Sequence, residues 1–157
     1  MRKVVFFHNN LSRVATDPRD LLSRFHNYLQ AAKDYLRDPN LELNLLLGGI
    51  DSNIRFDTIK VVRLSNSLFS QYLTLRSLLK GRREQVTLIA GDNHLSLLVC
   101  LFAKARNTNT RLQISIHTSV GALLSPTNMA EKLKLKFLLL NIKFIDSIRV
   151  VSKSDLE

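Results

Sequence analysis

A single cysteine, Cys100, stands in a chain of 157 residues. Without a second thiol there is no disulfide framework and no thiolate metal site, which fits a reducing, cytoplasmic setting. Cys100 lies among Leu, Val and Phe, as a small buried hydrophobe does. No apolar run approaches the roughly 20 residues that span a bilayer, and "NLELNLLLGGI" is far too short. The start, "MRKVVFFHNN", is basic, but its apolar part runs only from Val4 to Phe7, so it reads as a strand and not as a signal peptide. Several chemical signatures are missing too. "HNNLSRVATD", after that first apolar run, contains no glycine, so the GxGxxG turn is absent and NAD or FAD is disfavoured. Neither GxxxxGK[ST] nor GxSxG occurs, which disfavours a phosphate-binding loop and a serine-hydrolase elbow. The spacing of histidines and carboxylates matches no metal site, Asp92 with His94 being only a partial cluster.

What is present is the material of one soluble α/β domain. The length suits a single domain with a full core, spanning 1–157, and 45% of the residues are hydrophobic. The net charge is +10, unevenly spread: Arg76 to Arg149 holds 12 Lys or Arg against 4 acids, and the remainder 11 against 9. A one-sided basic surface attracts nucleic acid, anionic lipid headgroups or phosphorylated substrates.

Short apolar runs alternate with helical stretches. "KVVFF" (3–7) is a first strand. A helix follows, capped by Thr16 or Asp17, with Pro18 in its first turn, Leu21, Leu22, Phe25, Leu29, Ala32 and Leu36 on its apolar face, and Pro39 at its end. "LELNLLLGG" (41–49) and "IKVVRL" (59–64) are strands, and 66–80 is a helix closed by Gly81. Then come "VTLIAGD" as strand, "NHLSLLVCLFAKARN" as helix, "RLQISIHT" as strand, "NMAEKLKLKFLLLNIKFI" as helix and "SIRVVS" as a last strand. The order β-α-β-β-α-β-α-β-α-β implies a Rossmann-like open, mostly parallel sheet with helices on both faces.

Ligands in such sheets sit outside the carboxyl ends of the strands, where strand order reverses. The residues just past each strand are therefore the candidates: His8, Asn9 and Asn10; Gly48, Gly49 and Asp51; Asp92, Asn93 and His94; His117, Thr118, Ser119 and Gly121; Ser152 and Ser154. The Gly48–Gly49 pair is isolated and reads as a turn. His117 ends a strand that should be central, with Gly121 nearby to let a loop pass close to a ligand. An imidazole there can hydrogen-bond a sugar hydroxyl or phosphate, or act as acid or base near neutral pH. The plainer reading is a structural histidine bonded to a loop carbonyl.

The basic residues form two groups. Lys80, Arg82 and Arg83 close a helix, where cations complement the dipole. Lys132, Lys136 and Lys143 fall within about 40° on a helical wheel, with leucines and phenylalanines on either side. That pattern predicts a mostly buried helix with a narrow lysine stripe, either simply solvated or docking on an anionic membrane. Nucleic acid is disfavoured, because aromatics are not interleaved with the cations.

From Val86 onward the chain resembles the later part of the N-terminal domain of family-4, two-domain "GT-B" glycosyltransferases. The resemblance rests on the order of "VTLIAGDNHLSLLVCLFAKARNTNTRLQISIHTSVG" and "IDSIRVVSKSDLE". It implies one half of a GT-B fold and transfer of a sugar from a nucleotide-diphosphate sugar to a glycan or lipid-linked acceptor, with retained configuration. His117 would face the cleft as the catalytic residue, and Asn9, Asn10, Asp92, Asn93, His94, Ser119 and Gly121 would line the acceptor side. The two basic groups would hold the domain on the inner face of an anionic membrane. The family's Gly-Gly after the first strand is missing here. The chain also stops where the donor-binding domain should begin, so the expectation is an acceptor-side half, inactive alone, needing no cofactor of its own. A rival of another class is a non-catalytic Rossmann-like module that binds polyanions or membranes through its basic face. A small enzyme using His94 with His117 lacks a nucleophile.

Overall fold

A computed structural model describes residues 3–10, 23, 27, 30–31, 33–34, 37, 40–49, 59–80, 85–91, 93–107, 109–116 and 125–150. Its strands are β1 (Lys3–His8), β2 (Glu42–Gly48), β3 (Ile59–Leu64), β4 (Val86–Ala90), β5 (Thr110–Ile116) and β6 (Ser147–Val150). They form one six-stranded sheet in the order β3-β2-β1-β4-β5-β6, and every neighbouring pair is parallel. The open parallel α/β sheet expected from the alternation of elements is therefore present. β1 lies between β2 and β4, with Lys3 opposite both Glu42 and Val86.

Among the described residues three helices follow β3: α1 (Leu68–Leu79), α2 (His94–Ala105) and α3 (Met129–Asn141), the last running into a 3-10 turn at Ile142–Phe144. Each begins where a polar side chain takes an orphan amide of the first turn. Ser67 accepts from Ser70, Asn93 from Leu95 and Asn128 from Glu131. Glu131 in turn accepts from the amide and hydroxyl of Thr127, at 2.8 and 3.0 Å. Those bonds hold its carboxyl below the ordinary value. Lys80 caps α1 through its backbone; the Gly81 cap expected there lies outside the described residues. Of the first predicted helix, Ser23, Asn27, Gln30, Ala31, Lys33 and Asp34 are described, all in helical conformation. Its apolar face falls outside them.

Strand alternation sends side chains to two buried layers. Val5, Phe7, Leu46, Val86, Leu88, Ala90, Leu112 and Ile114 pack with Leu75 and Leu79 of α1, Leu97, Cys100 and Ala103 of α2 and Leu138 of α3. Phe6, Leu43, Leu45, Leu47, Ile59 and Ile89 are buried on the opposite face. Burial on both faces is why these strands read as near-continuous apolar runs. Desolvation pushes the Cys100 thiol well up, so it is an inert part of the core.

One expectation is overturned. α3 is not mostly buried: Leu138 is its single buried residue, while Met129, Leu133, Leu139 and Leu140 are exposed. The helix touches α2 and the 3-10 turn that follows it, and Leu138 carries it into the main apolar layer. Beside it, the Lys104 ammonium holds the carbonyl of Phe144 at 2.7 Å and the carboxylate of Asp146. The same carboxylate accepts from the Leu112 amide at 2.6 Å. Burial alone would raise the Asp146 carboxyl, but the Lys104 and Leu112 bonds outweigh it and leave the carboxyl below its ordinary value.

Candidate functional site

In the observed strand order the direction of winding reverses between β1 and β4, so the carboxyl ends of those two strands form the switch-point crevice. His8 ends β1 and Asn9 follows it; Gly91, Asn93 and His94 follow β4. Five of the sequence candidates are thus brought to one edge: His8, Asn9, Asn10, Asn93 and His94. His94 is the exposed first residue of α2, and half-buried Asn93 caps that helix, its Oδ1 accepting from the Leu95 amide at 2.9 Å.

Asn9 has a different place from the one expected of a ligand-facing side chain. It is 7% exposed. Its amide donates to Ser96 Oγ at 3.0 Å, and Ser96 Oγ donates to Asn9 Oδ1 at 3.2 Å. Its carbonyl accepts from Gln71 Nε2 at 3.0 Å, and the same nitrogen reaches the carbonyl of Ser65 at 2.7 Å. Gln71 Oε1 is buried with no hydrogen-bond partner among the described residues. A Cβ on Gly48 would stand 1.8 Å from the Asn9 carbonyl oxygen, so β2 must end in glycine for the loop after β1 to pass. Gly49 then turns away in the left-handed region, with φ 70°. The turn expected of the glycine pair thus begins only at Gly49, while Gly48 is still a strand residue paired with Leu64.

Asn9 is thus bonded to α1 and α2 and packed against the end of β2, and these contacts form the floor of the crevice. Sequence reading missed Ser96 and Gln71. Both carried a signal: Gln71 precedes buried Leu75 and Leu79 at i+4 and i+8, and Ser96 precedes buried Cys100 at i+4. A polar residue on a buried stripe must find a partner.

Asp92, His117, Ser119 and Gly121 lie outside the described residues, as do Arg82, Arg83 and Ser152. Among the described residues no group of three His, Cys, Asp or Glu is placed to hold a metal ion, and no helix is long and apolar enough to cross a membrane. Among the described residues, the lysines of the two basic groups do not converge on the crevice. Lys80 sits at the far end of α1, while Lys132, Lys136 and Lys143 are exposed on α3 and the turn after it. α2 packs between those helices. Lys143 lies 5.0 Å over the ring of Phe144, a cation–π contact. On the α3 wheel Met129, Leu133 and Leu140 cluster within about 40°, directly beside the lysine stripe; Leu133 is 60% and Leu140 65% exposed.

No family model, no curated protein and no solved structure matches this chain.

Proposed function

We propose that this chain is the acceptor-side half of a glycosyltransferase, moving a sugar from a nucleotide-diphosphate sugar to a glycan or a lipid-linked acceptor. The observation that carries the reading is the switch-point crevice. Its floor is hydrogen-bonded through Asn9, and its described polar groups are carboxamides and imidazoles, side chains that donate to and accept from hydroxyl groups without carrying a fixed charge. The order of short motifs from Val86 onward supports it. In this reading Asn93 and His94, together with Asp92, Ser119 and Gly121, contact the acceptor. His117 orients the reacting centre, and a second Rossmann domain holds the donor.

The test uses the full-length protein, offered a panel of nucleotide-diphosphate sugars with glycan and lipid-linked acceptors. Transfer from one donor is expected, and H117A should lower kcat about 100-fold without changing the far-ultraviolet circular dichroism. Absence of transfer from every donor, or an unchanged kcat in H117A, overturns the proposal.

A second reading has its own observation: the exposed Met129–Leu133–Leu140 stripe beside Lys132, Lys136 and Lys143. Apolar residues next to cations suit an anionic bilayer surface. That reading places the domain on the inner face of a membrane, with or without catalysis. Co-sedimentation with anionic vesicles that survives loss of His117, in a protein that transfers no sugar, would favour a binding module.

A further inference from the structure

The last residue of β1 is a side chain that the proposed site does not yet use. His8 is 5% exposed, and its imidazole lies against the backbone of Gly91, the first residue past β4. A Cβ on Gly91 would stand 2.4 Å from His8 Cδ2, 3.2 Å from Cγ and 3.4 Å from Nε2. The Gly91 amide also donates to the carbonyl of Phe7 at 2.9 Å. The backbone at position 91 is therefore held by the β1 main chain and faced by the β1 ring. Two residues further on, Asn93 caps α2, and His94 opens it.

We infer that His8 is a positioning residue of the switch-point crevice. Its ring occupies the space that a side chain at position 91 would take. The ring thereby sets the depth at which the turn into α2 crosses the end of β1, and with it the placement of Asn93 and His94. The Asn9–Ser96 bonds fasten the same helix one turn later, so adjacent residues of the first strand and its loop hold the start of α2 at two points. The geometric part stands on the contact itself; its consequence for ligand binding rests on the acceptor-side reading above.

The experiment compares amide and histidine-ring resonances in the wild type, G91A, H8S and the double variant H8S/G91A. G91A is expected to move the Leu95 and Ser96 amides and the His94 ring, while amides of β5 and α3 keep their positions. The double variant should return these signals toward wild type, because serine vacates the space that the new methyl needs. In the sugar-transfer assay the acceptor KM should rise about tenfold in G91A, with kcat within about twofold, and fall back in the double variant. Unmoved signals at Leu95, Ser96 and His94 in G91A overturn the inference, and so does a double variant no nearer to wild type than G91A. If G91A gives no dispersed spectrum, H8S alone is measured; it must move the same signals, and their constancy overturns the inference. A wild-type protein that transfers no sugar defeats the acceptor-side reading, while the resonances still decide the role of His8.

Discussion

Ser96 is the residue whose removal should be felt most directly at the crevice. S96A takes the acceptor from the buried Asn9 amide and the donor from Asn9 Oδ1. Stranding buried polar groups costs about 1–3 kcal/mol, so the urea midpoint should fall with an unchanged slope. Asp146 gives a pH-dependent counterpart. Its carboxyl is lowered in the folded state, so its contribution is complete above the unfolded carboxylate value. It is lost as pH falls through the lower folded value. D146N should therefore be less stable than wild type at neutral pH, by no more than about 0.5 kcal/mol because solvent screens the half-exposed pair. The two proteins should converge only below the ordinary carboxylate range, as read by urea unfolding at a series of pH values. At this scale the sequence was legible only in part. Position after a strand marked His8, Asn9 and His94 as belonging to one edge. No spacing rule, however, says that an imidazole will lie on a glycine 83 residues further along the numbering, from position 8 to position 91. Contacts of that kind depend on which strands become neighbours.

The strands and helices themselves were legible because local chemistry agrees with the fold. Runs such as Val86–Ala90 are buried on both faces and so show no polar alternation, and Asn93 and Asn128 stand where helix caps belong. α3 shows where this legibility stops. Its periodicity places Lys132, Lys136 and Lys143 on one stripe and leucines on both sides, but a wheel does not reveal how much sheet lies beneath. In the fold only the Leu138 side finds cover. L138A should accordingly cost about 2–3 kcal/mol. L133S and L140S, which change exposed positions, should each stay within about 0.5 kcal/mol of wild type in thermal unfolding.

For the molecule as a whole, charge and shape make separate contributions to any surface it meets. Residues Arg76 to Arg149 carry the cationic surplus, and α3 presents cations beside bare leucines. If the bilayer reading is right, the triple variant K132Q/K136Q/K143Q should lose affinity for phosphatidylglycerol vesicles by roughly 1 kcal/mol per lysine. L133S/L140S should weaken binding in a way that added salt does not mimic. Binding that is equal on neutral and anionic vesicles would contradict the electrostatic part.

The bond between Asn9 and Ser96 joins residues 87 positions apart. A chain emerging from the ribosome at about 5–20 residues per second therefore exposes β1 for several seconds before β4 and the start of α2 exist. β2 can pair with β1, and β3 with β2, on one side during that interval, but the other edge of β1 has no strand to meet. That edge, bearing Val5 and Phe7, is the point at which a nascent chain is open to misassembly or to capture by a chaperone. The crevice is consequently a late product of synthesis: no ligand can select or stabilise it until more than half of the sequence has been made.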